Sequence, residues 1–215
     1  MVSTHCGLSV GEDGPTHQAI DDMGSFLGMY NMMIIEPADP NQTDHIIRYI
    51  ASHYGNFYVR MGRHKFPILT KDDGTPFYDK NYKYEFGKTD TIREGSDITI
   101  AASGAMISNA FQALETLKEE GISAELIAVS SIKQFDDNLI SSINKTKKLI
   151  TVEDHNTRSG LGSQLARHLQ TNNIDIDAFK MLGTEEYQLS GKSDQLYEKV
   201  GLSSNGIAKS IQEML

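Results

Sequence analysis

The sequence predicts an α/β fold built on a mostly parallel sheet, and three observations lead there. Short apolar runs such as residues 32–35 (MMII) and 124–129 (AELIAV) are too brief for buried helices and read as strands. Between such runs lie helical periods; Ala110, Leu114 and Leu117 recur at i, i+4 and i+7 and give one apolar face. The two kinds of segment alternate, which joins parallel strands through crossovers and covers the sheet on both faces.

Taken in order, residues 1–7 (MVSTHCG) read as the end of a strand whose beginning is missing. Pro15 then marks a helix start, because a first helical turn has no use for the N–H that proline lacks. Residues 32–35 form a buried strand closed by Glu36-Pro37-Ala38-Asp39-Pro40, Ile46, Ile47, Tyr49 and Ile50 a helix, and residues 56–62 (NFYVRMG) another strand. Residues 67–93 are polar, rich in Lys, Asp, Tyr and Gly, and without helical period, as a linker would be. From Asp97 the rhythm is regular: strand 97–104, a helix ended by Gly121, strand 124–129, a short helix over 136–144 and strand 148–154. Ser159-Gly160-Leu161-Gly162 opens a helix through His168; residues 174–181 give a last strand and 207–215 a closing helix. The expected organisation is an incomplete sheet domain over 1–70, a linker over 71–92 and a second α/β domain over 93–215. There is no internal repeat or low-complexity tract.

With 20 Lys+Arg against 29 Asp+Glu, the net charge of −9 argues against a nucleic-acid or anionic-membrane surface. An anionic ligand would need a local cationic cluster. One cysteine, Cys6, excludes an internal disulfide framework and fits a reducing compartment. No apolar run approaches the ~20 residues of a membrane span, and no basic-then-apolar leader opens the chain, so a cytoplasmic location is expected. The sequons at Asn41 and Asn144 then read as chance matches.

Residues 11–18 (GEDGPTHQ) concentrate the chemistry. Gly11 and Gly14 allow close approach or unusual backbone angles, and a helix starting at Pro15 would put His17 near its N-terminus, where the macrodipole disfavours imidazolium. Asp13, just ahead, could receive backbone N–H groups or point outward to a hydroxyl. A strand end at His5 joined through a glycine-rich loop to a helix is where open α/β sheets place ligands. Spacing alone does not separate this from a simpler reading, in which Asp13 and Gly14 cap a helix and His5 and His17 face solvent.

Three stretches, STHCGLSVGEDGPTHQAIDDM, IIEPADPNQT and FYVRMGRHKFPIL, closely resemble transketolase, and LITVEDHNTRSGLGSQLARHL resembles the C-terminal domain that transketolases share with deoxyxylulose-phosphate synthases and the beta chains of 2-oxo-acid dehydrogenases. The Thr-His and Gly-Glu-Asp-Gly combination favours transketolase among these. The resemblance implies a partial thiamine-diphosphate (pyrimidine-binding) sheet domain followed by a transketolase C-terminal domain. It implies a transferase that passes a two-carbon ketol unit between sugar phosphates, working as a dimer in the pentose phosphate pathway. It assigns His5 to substrate hydroxyls and phosphate, Asp13 to a hydroxyl beside the reacting carbon, and Arg63 to the terminal phosphate. His17 falls beside the thiazolium, where it would bind substrate and act catalytically in proton movement. His5 and His64 could complete a cationic cluster around Arg63, while Arg60 reads as a packing residue or part of a surface pair.

The family holds thiamine diphosphate and Mg2+ through a Gly-Asp-Gly segment, a downstream Asn and an activating Glu. This chain has no Gly-Asp-Gly, and the resemblance begins after the place of that Glu, so no cofactor- or metal-binding residue is expected here. The expected partners are sugar phosphates and a complementary N-terminal transketolase chain or segment, in a homo- or hetero-oligomer, the isolated chain being inactive. The alternatives are a non-catalytic assembly module or fragment, or part of a neighbouring thiamine-dependent enzyme. LSGKS (189–193) lacks the glycine spacing of a phosphate loop, with Glu186 at the required position. Glu153-Asp154-His155 reads as a polar strand-end loop rather than a metal site, and Cys6 as a packing residue.

Overall fold

β-Branched and aromatic residues pair in register to build a first, three-stranded sheet. In the computed structural model, which describes residues 1–215, β1 (Val2–Ser3), β2 (Met32–Ile35) and β3 (Asn56–Arg60) are all parallel in the order β1-β3-β2. Val2 lies opposite Val59, and Met33 opposite Phe57. Between the strands run α1 (Asp22–Leu27) and α2 (Pro40–Ser52). The start of α2 is written locally: Asp39 accepts the Gln42 N–H at 2.8 Å, Gln42 returns its Oε1 to the Ala38 N–H at 2.7 Å, and Pro40 fills the first turn.

The second sheet has the order β4-β6-β5-β7-β8. Its strands are β4 (Asp90–Arg93), β5 (Ile98–Ala102), β6 (Ala124–Ala128), β7 (Lys148–Asn156) and β8 (Ala178–Thr184), all parallel except β4, which runs antiparallel to β6. The helices are α3 (Met106–Glu119), α4 (Asp137–Thr146), α5 (Leu161–Thr171), α6 (Ser193–Lys199) and α7 (Ser204–Gln212). None is long and apolar enough to cross a membrane. The α/β class with mostly parallel sheets is as expected.

β5 lies between β6 and β7, so the chain leaves it first to one side and later to the other. The crevice beyond the C-terminal ends of β5 and β7 is where open sheets of this kind receive ligands. Here the first sheet enters it. The Glu36 N–H donates to Ser130 O at 2.8 Å and the Ile132 N–H to Ile34 O at 3.2 Å, so β2 runs on into the loop after β6. A Cβ at Gly104 would lie 2.5 Å from Glu36 Cγ, which places the Glu36 side chain against the turn that follows β5. The apolar cores run across the same seam: Met23, Ile34 and Tyr58 pack with Ala101, Ile127 and Leu149.

Several expectations need correction. No helix begins at Pro15. Gly7–Asp13 forms a 3-10 turn interrupted at Gly11 (φ 63°), Gly14 closes it with its N–H on Gly11 O at 3.2 Å, and the first α-helix waits until Asp22. His17 therefore sits in an exposed turn, outside any helix dipole. Residues 71–92 are not loose: Tyr78 and Tyr84 are buried, and β4 begins at Asp90. Antiparallel pairing and aromatic burial hold a segment whose composition reads as polar. Glu153-Asp154-His155 is no polar loop; all three residues lie in β7 and are buried. Arg60 makes no surface pair but is 2% exposed. Helix α6 was not legible as a helix, and LSGKS is the turn that leads into it.

Candidate functional site

The Gly7–Asp13 turn meets the segment that follows β3 at the surface, where Arg63 reaches Asp13, and the exposed His5 and His17 flank the turn in sequence. Arg63 Nη1 donates to Asp13 Oδ2 at 2.9 Å and to Val10 O at 2.7 Å. Ser9 joins the two segments, its hydroxyl donating to Cys6 O at 2.9 Å and accepting the Arg63 N–H at 2.8 Å.

His5 and His17 are exposed, and each is held by the threonine before it. Thr4 Oγ1 lies 2.8 Å from His5 Nδ1, and Thr16 Oγ1 lies 2.9 Å from His17 Nδ1. The repeated Thr-His pair fixes each ring through one nitrogen and leaves Nε2 without a partner in the chain. His5 also carries a φ of 65°, a left-handed conformation that non-glycine residues seldom adopt. The structure thus pairs Asp13 with Arg63 but shows no hydrogen bond from either to His5 or His17. His64 turns elsewhere: its ring stacks on Phe66 with centroids 4.9 Å apart and does not extend the Arg63 cluster. It lines a cavity of about 450 Å³ with Arg60, Glu36, Lys65, Gly104 and Ala105.

Beneath this surface lies a buried ionic network. Arg60 donates to Asp22 at 2.9 Å, to Glu36, to Ala19 O at 2.7 Å and to Asp154 O at 2.8 Å. A buried guanidinium is tolerable only when its donors are matched in this way. Tyr58 adds a hydroxyl on Asp22 at 2.6 Å. Burial works to raise Asp22, but Arg60 and Tyr58 outweigh it and hold the carboxyl below its ordinary value. Burial wins at Glu36 and Asp154, which are raised even though Arg60 opposes the shift. Cys6, a packing residue as expected, is also raised by burial.

Glu153 receives the N-terminus of α5, accepting Leu161 N–H at 2.7 Å and Gly162 N–H at 2.9 Å. A Cβ at Gly160 would lie 1.7 Å from Glu153 Oε2, so only glycine lets the turn close over the carboxylate. Burial pushes Glu153 up to about 8. His155 accepts the Met23 N–H on Nε2 at 3.2 Å, and burial followed by the Arg60 charge holds it down to about 4, so it is a neutral ring at ordinary pH.

Sequence reasoning reached the exposed residues and missed the buried association of Arg60 with Asp22, Glu36 and Asp154. The available signal was three ionisable residues in succession near the end of an otherwise apolar run, together with the arginine that ends NFYVR. No three His, Cys, Asp or Glu side chains gather in a way that would hold a metal ion. Asp13 is committed to Arg63, and Asp154 and Glu153 to backbone N–H groups. These residues do not fit the metal and diphosphate of thiamine diphosphate.

Residues 1–67 match the family described as transketolase, pyrimidine binding domain, and residues 87–207 match transketolase, C-terminal domain. The chain is 36% identical over 214 residues to a Methanocaldococcus jannaschii protein named for the C-terminal section of a transketolase, covering 99% of this chain and 65% of that one. It is 30% identical to one of the subunits of an apulose-4-phosphate transketolase from Phocaeicola vulgatus, covering 97% of this chain and 64% of the relative. A solved structure described as a split gene transketolase, inactive beta4 tetramer, superposes with a TM-score of 0.83 at 30% identity, over 99% of this chain and 64% of the other. The chain therefore spans just under two thirds of the length of these relatives.

Proposed function

The chain belongs to the transketolase family, and on that premise we propose that it supplies the sugar-phosphate face of a ketol-transferring enzyme. The observation that carries this reading is the ion pair of Asp13 and Arg63 at 2.9 Å, on a turn that His5 precedes and His17 follows in sequence, each histidine held by its neighbouring threonine through Nδ1. Asp13 can accept a substrate hydroxyl. Arg63 makes its contacts through Nη1 and keeps Nη2 and Nε open, a planar fork suited to phosphate oxygens. His5 offers a donor or acceptor to the hydroxyls, and His17 is the residue proposed to move a proton at the reacting end.

Thiamine diphosphate and Mg2+ would be held by a complementary N-terminal chain or segment. In this reading residues 1–70 are part of a pyrimidine-binding domain, 71–92 the connection and 93–215 the C-terminal domain. The test is ketol transfer from a ketose phosphate to an aldose phosphate, assayed with the chain alone, with a cofactor-binding transketolase N-terminal chain alone, and with the two combined. Activity in the mixture only supports the reading, whereas no activity in any arm, with both chains folded and associated, contradicts it.

The description of the solved relative as an inactive beta4 tetramer supports a second reading for the chain by itself, as a self-associating assembly module. Light scattering of the purified chain separates the two states. A tetramer that dissociates when the complementary chain is added joins both readings; a tetramer that ignores it favours the module.

A further inference from the structure

The turn that presents Asp13 is held in part by residues far along the chain. Asp154, at the end of β7, accepts the Leu8 N–H on Oδ1 at 2.9 Å and the Tyr197 hydroxyl on Oδ2 at 2.8 Å. Ser193, at the start of α6, donates to Ser9 O at 3.1 Å, and Gly191 donates to Gly11 O at 3.4 Å. Gln18 and Gln188 exchange hydrogen bonds of 3.0 and 2.7 Å just beyond the turn. Within the turn itself the support is thin, since short 3-10 segments have poor hydrogen-bond geometry.

Asp154 is the point where these restraints converge. It is 2% exposed, and its backbone oxygen accepts Arg60 Nη2 at 2.8 Å, so one residue ties the turn, α6 and the end of β3 together. Gly7 has a φ of 72°, and a Cβ there would lie 2.0 Å from Asp154 Oδ2, so the backbone of the turn lies directly on this carboxylate. Ser9, next to the amide that Asp154 holds, receives the Arg63 N–H at 2.8 Å. The chain of contacts from Asp154 to the Asp13–Arg63 pair is therefore continuous: Asp154, Leu8, Ser9, Arg63.

We propose that Asp154 is the positioning residue of the sugar-phosphate site, fixing through the Leu8 amide the height of the Gly7–Asp13 turn over the end of β3 and so keeping Asp13 in reach of Arg63. It touches no reacting atom. The C-terminal domain, on this account, shapes a site whose exposed groups all belong to the first domain. The proposal rests on the reading of Asp13 and Arg63 as substrate contacts, and its test is arranged to tell the two apart.

Amide hydrogen exchange on the full chain reads the positioning without substrate. Asp154→Ala is expected to speed exchange at residues 8–13 by about tenfold or more while β5 and β6 keep their protection. Asp154→Asn retains an oxygen for the Leu8 N–H and is expected to restore most of it. Tyr197→Phe removes one partner and leaves the carboxylate, so it serves should Asp154→Ala fail to fold, with an expected increase of about threefold. Unchanged exchange at residues 8–13 in whichever of these two variants folds overturns the proposal. In the combined enzyme, Asp154→Ala is expected to lower kcat/KM for phosphorylated and unphosphorylated acceptors alike, with rescue by Asn. A loosened turn with unaltered kinetics instead contradicts the substrate role of Asp13 and Arg63, and takes the positioning role with it.

Discussion

Arg63 and Asp13 stand 50 positions apart in sequence and form an ion pair at 2.9 Å with side chains 40% and 38% exposed. A pair this wet is worth roughly 0–1 kcal/mol, too little to account for a dedicated turn and strand end by stability alone. It does hold the guanidinium in one orientation, with Nη1 committed to Asp13 and Val10 and the other nitrogens outward. On the proposed function, the outward edge would meet a phosphate and the carboxylate a hydroxyl of the same sugar.

Arg63→Ala is accordingly expected to raise KM for phosphorylated aldoses by about ten- to a hundredfold in the combined enzyme, the span of a lost charged hydrogen bond. The phosphate lies away from the reacting carbons, so most of the effect is uniform binding and kcat changes less. Paired kinetic series with an aldose phosphate and glycolaldehyde check this. Equal loss for both acceptors would mean that Arg63 is structural.

Asp13→Ala separates a substrate contact from a structural one. Asp13 ends a 3-10 turn and caps no α-helix, so its removal is expected to lower the unfolding free energy by less than about 1 kcal/mol. Turnover of hydroxylated sugar phosphates is expected to fall by roughly ten- to a hundredfold. Denaturant unfolding and steady-state kinetics on the same preparation decide it: full activity with a clear stability loss contradicts the assignment.

His5 is held at φ 65°, where a side chain is strained and glycine is not. At an ordinary site Ala is the more stable replacement. Here His5→Gly is expected to be more stable than His5→Ala by about 1 kcal/mol, with both variants impaired in substrate binding. Thermal melts of the two variants measure the difference, and the opposite ranking would remove the strain argument.

The buried network makes stability depend on pH. Glu153 is raised by burial from 4.5 to about 8, so the folded chain holds its proton more tightly than the unfolded one. The stability it contributes is full below pH 4.5 and is lost as pH rises through about 8. His155, lowered from 6.5 to about 4 mainly by burial, makes stability rise with pH between those values and adds no slope above them. From pH 6.5 to 8 the unfolding free energy is therefore expected to decline by up to about 1.4 kcal/mol per pH unit for the Glu153 proton. Glu36 and Asp154, also raised by burial, act in the same direction. Glu153→Gln is expected to flatten the decline, as urea unfolding at a series of pH values would show. An unchanged slope contradicts the buried ionisation.

Why some of this was legible in the sequence and some was not follows from where each signal resides. The parallel strands of the second sheet and the α2 start declare themselves locally, through apolar runs and through Asp39-Pro40 with Gln42 three residues beyond the cap. His5, Asp13 and His17 stand out in the sequence because they crowd into one short segment. Arg60 and Asp154 were not, because their meaning depends on partners 94 and 146 positions away. Burial turns the charge that ends NFYVR from a surface feature into the centre of the seam. Pro15 misled because the glycines around it permit a 3-10 turn that proline-based helix signals do not distinguish. β4 was hidden because edge pairing needs little apolar content, and only Ile92 of its residues is buried.

The central claim is a division of labour, with the sugar-phosphate site on this chain and the cofactor on another. Titration calorimetry with thiamine diphosphate and magnesium, on the isolated chain and on the chain combined with a cofactor-binding transketolase N-terminal chain, tests it most directly. The account predicts no tight binding to the isolated chain and clear binding, with ketol transfer, in the combined sample. Sub-micromolar binding of thiamine diphosphate by the isolated chain would contradict it.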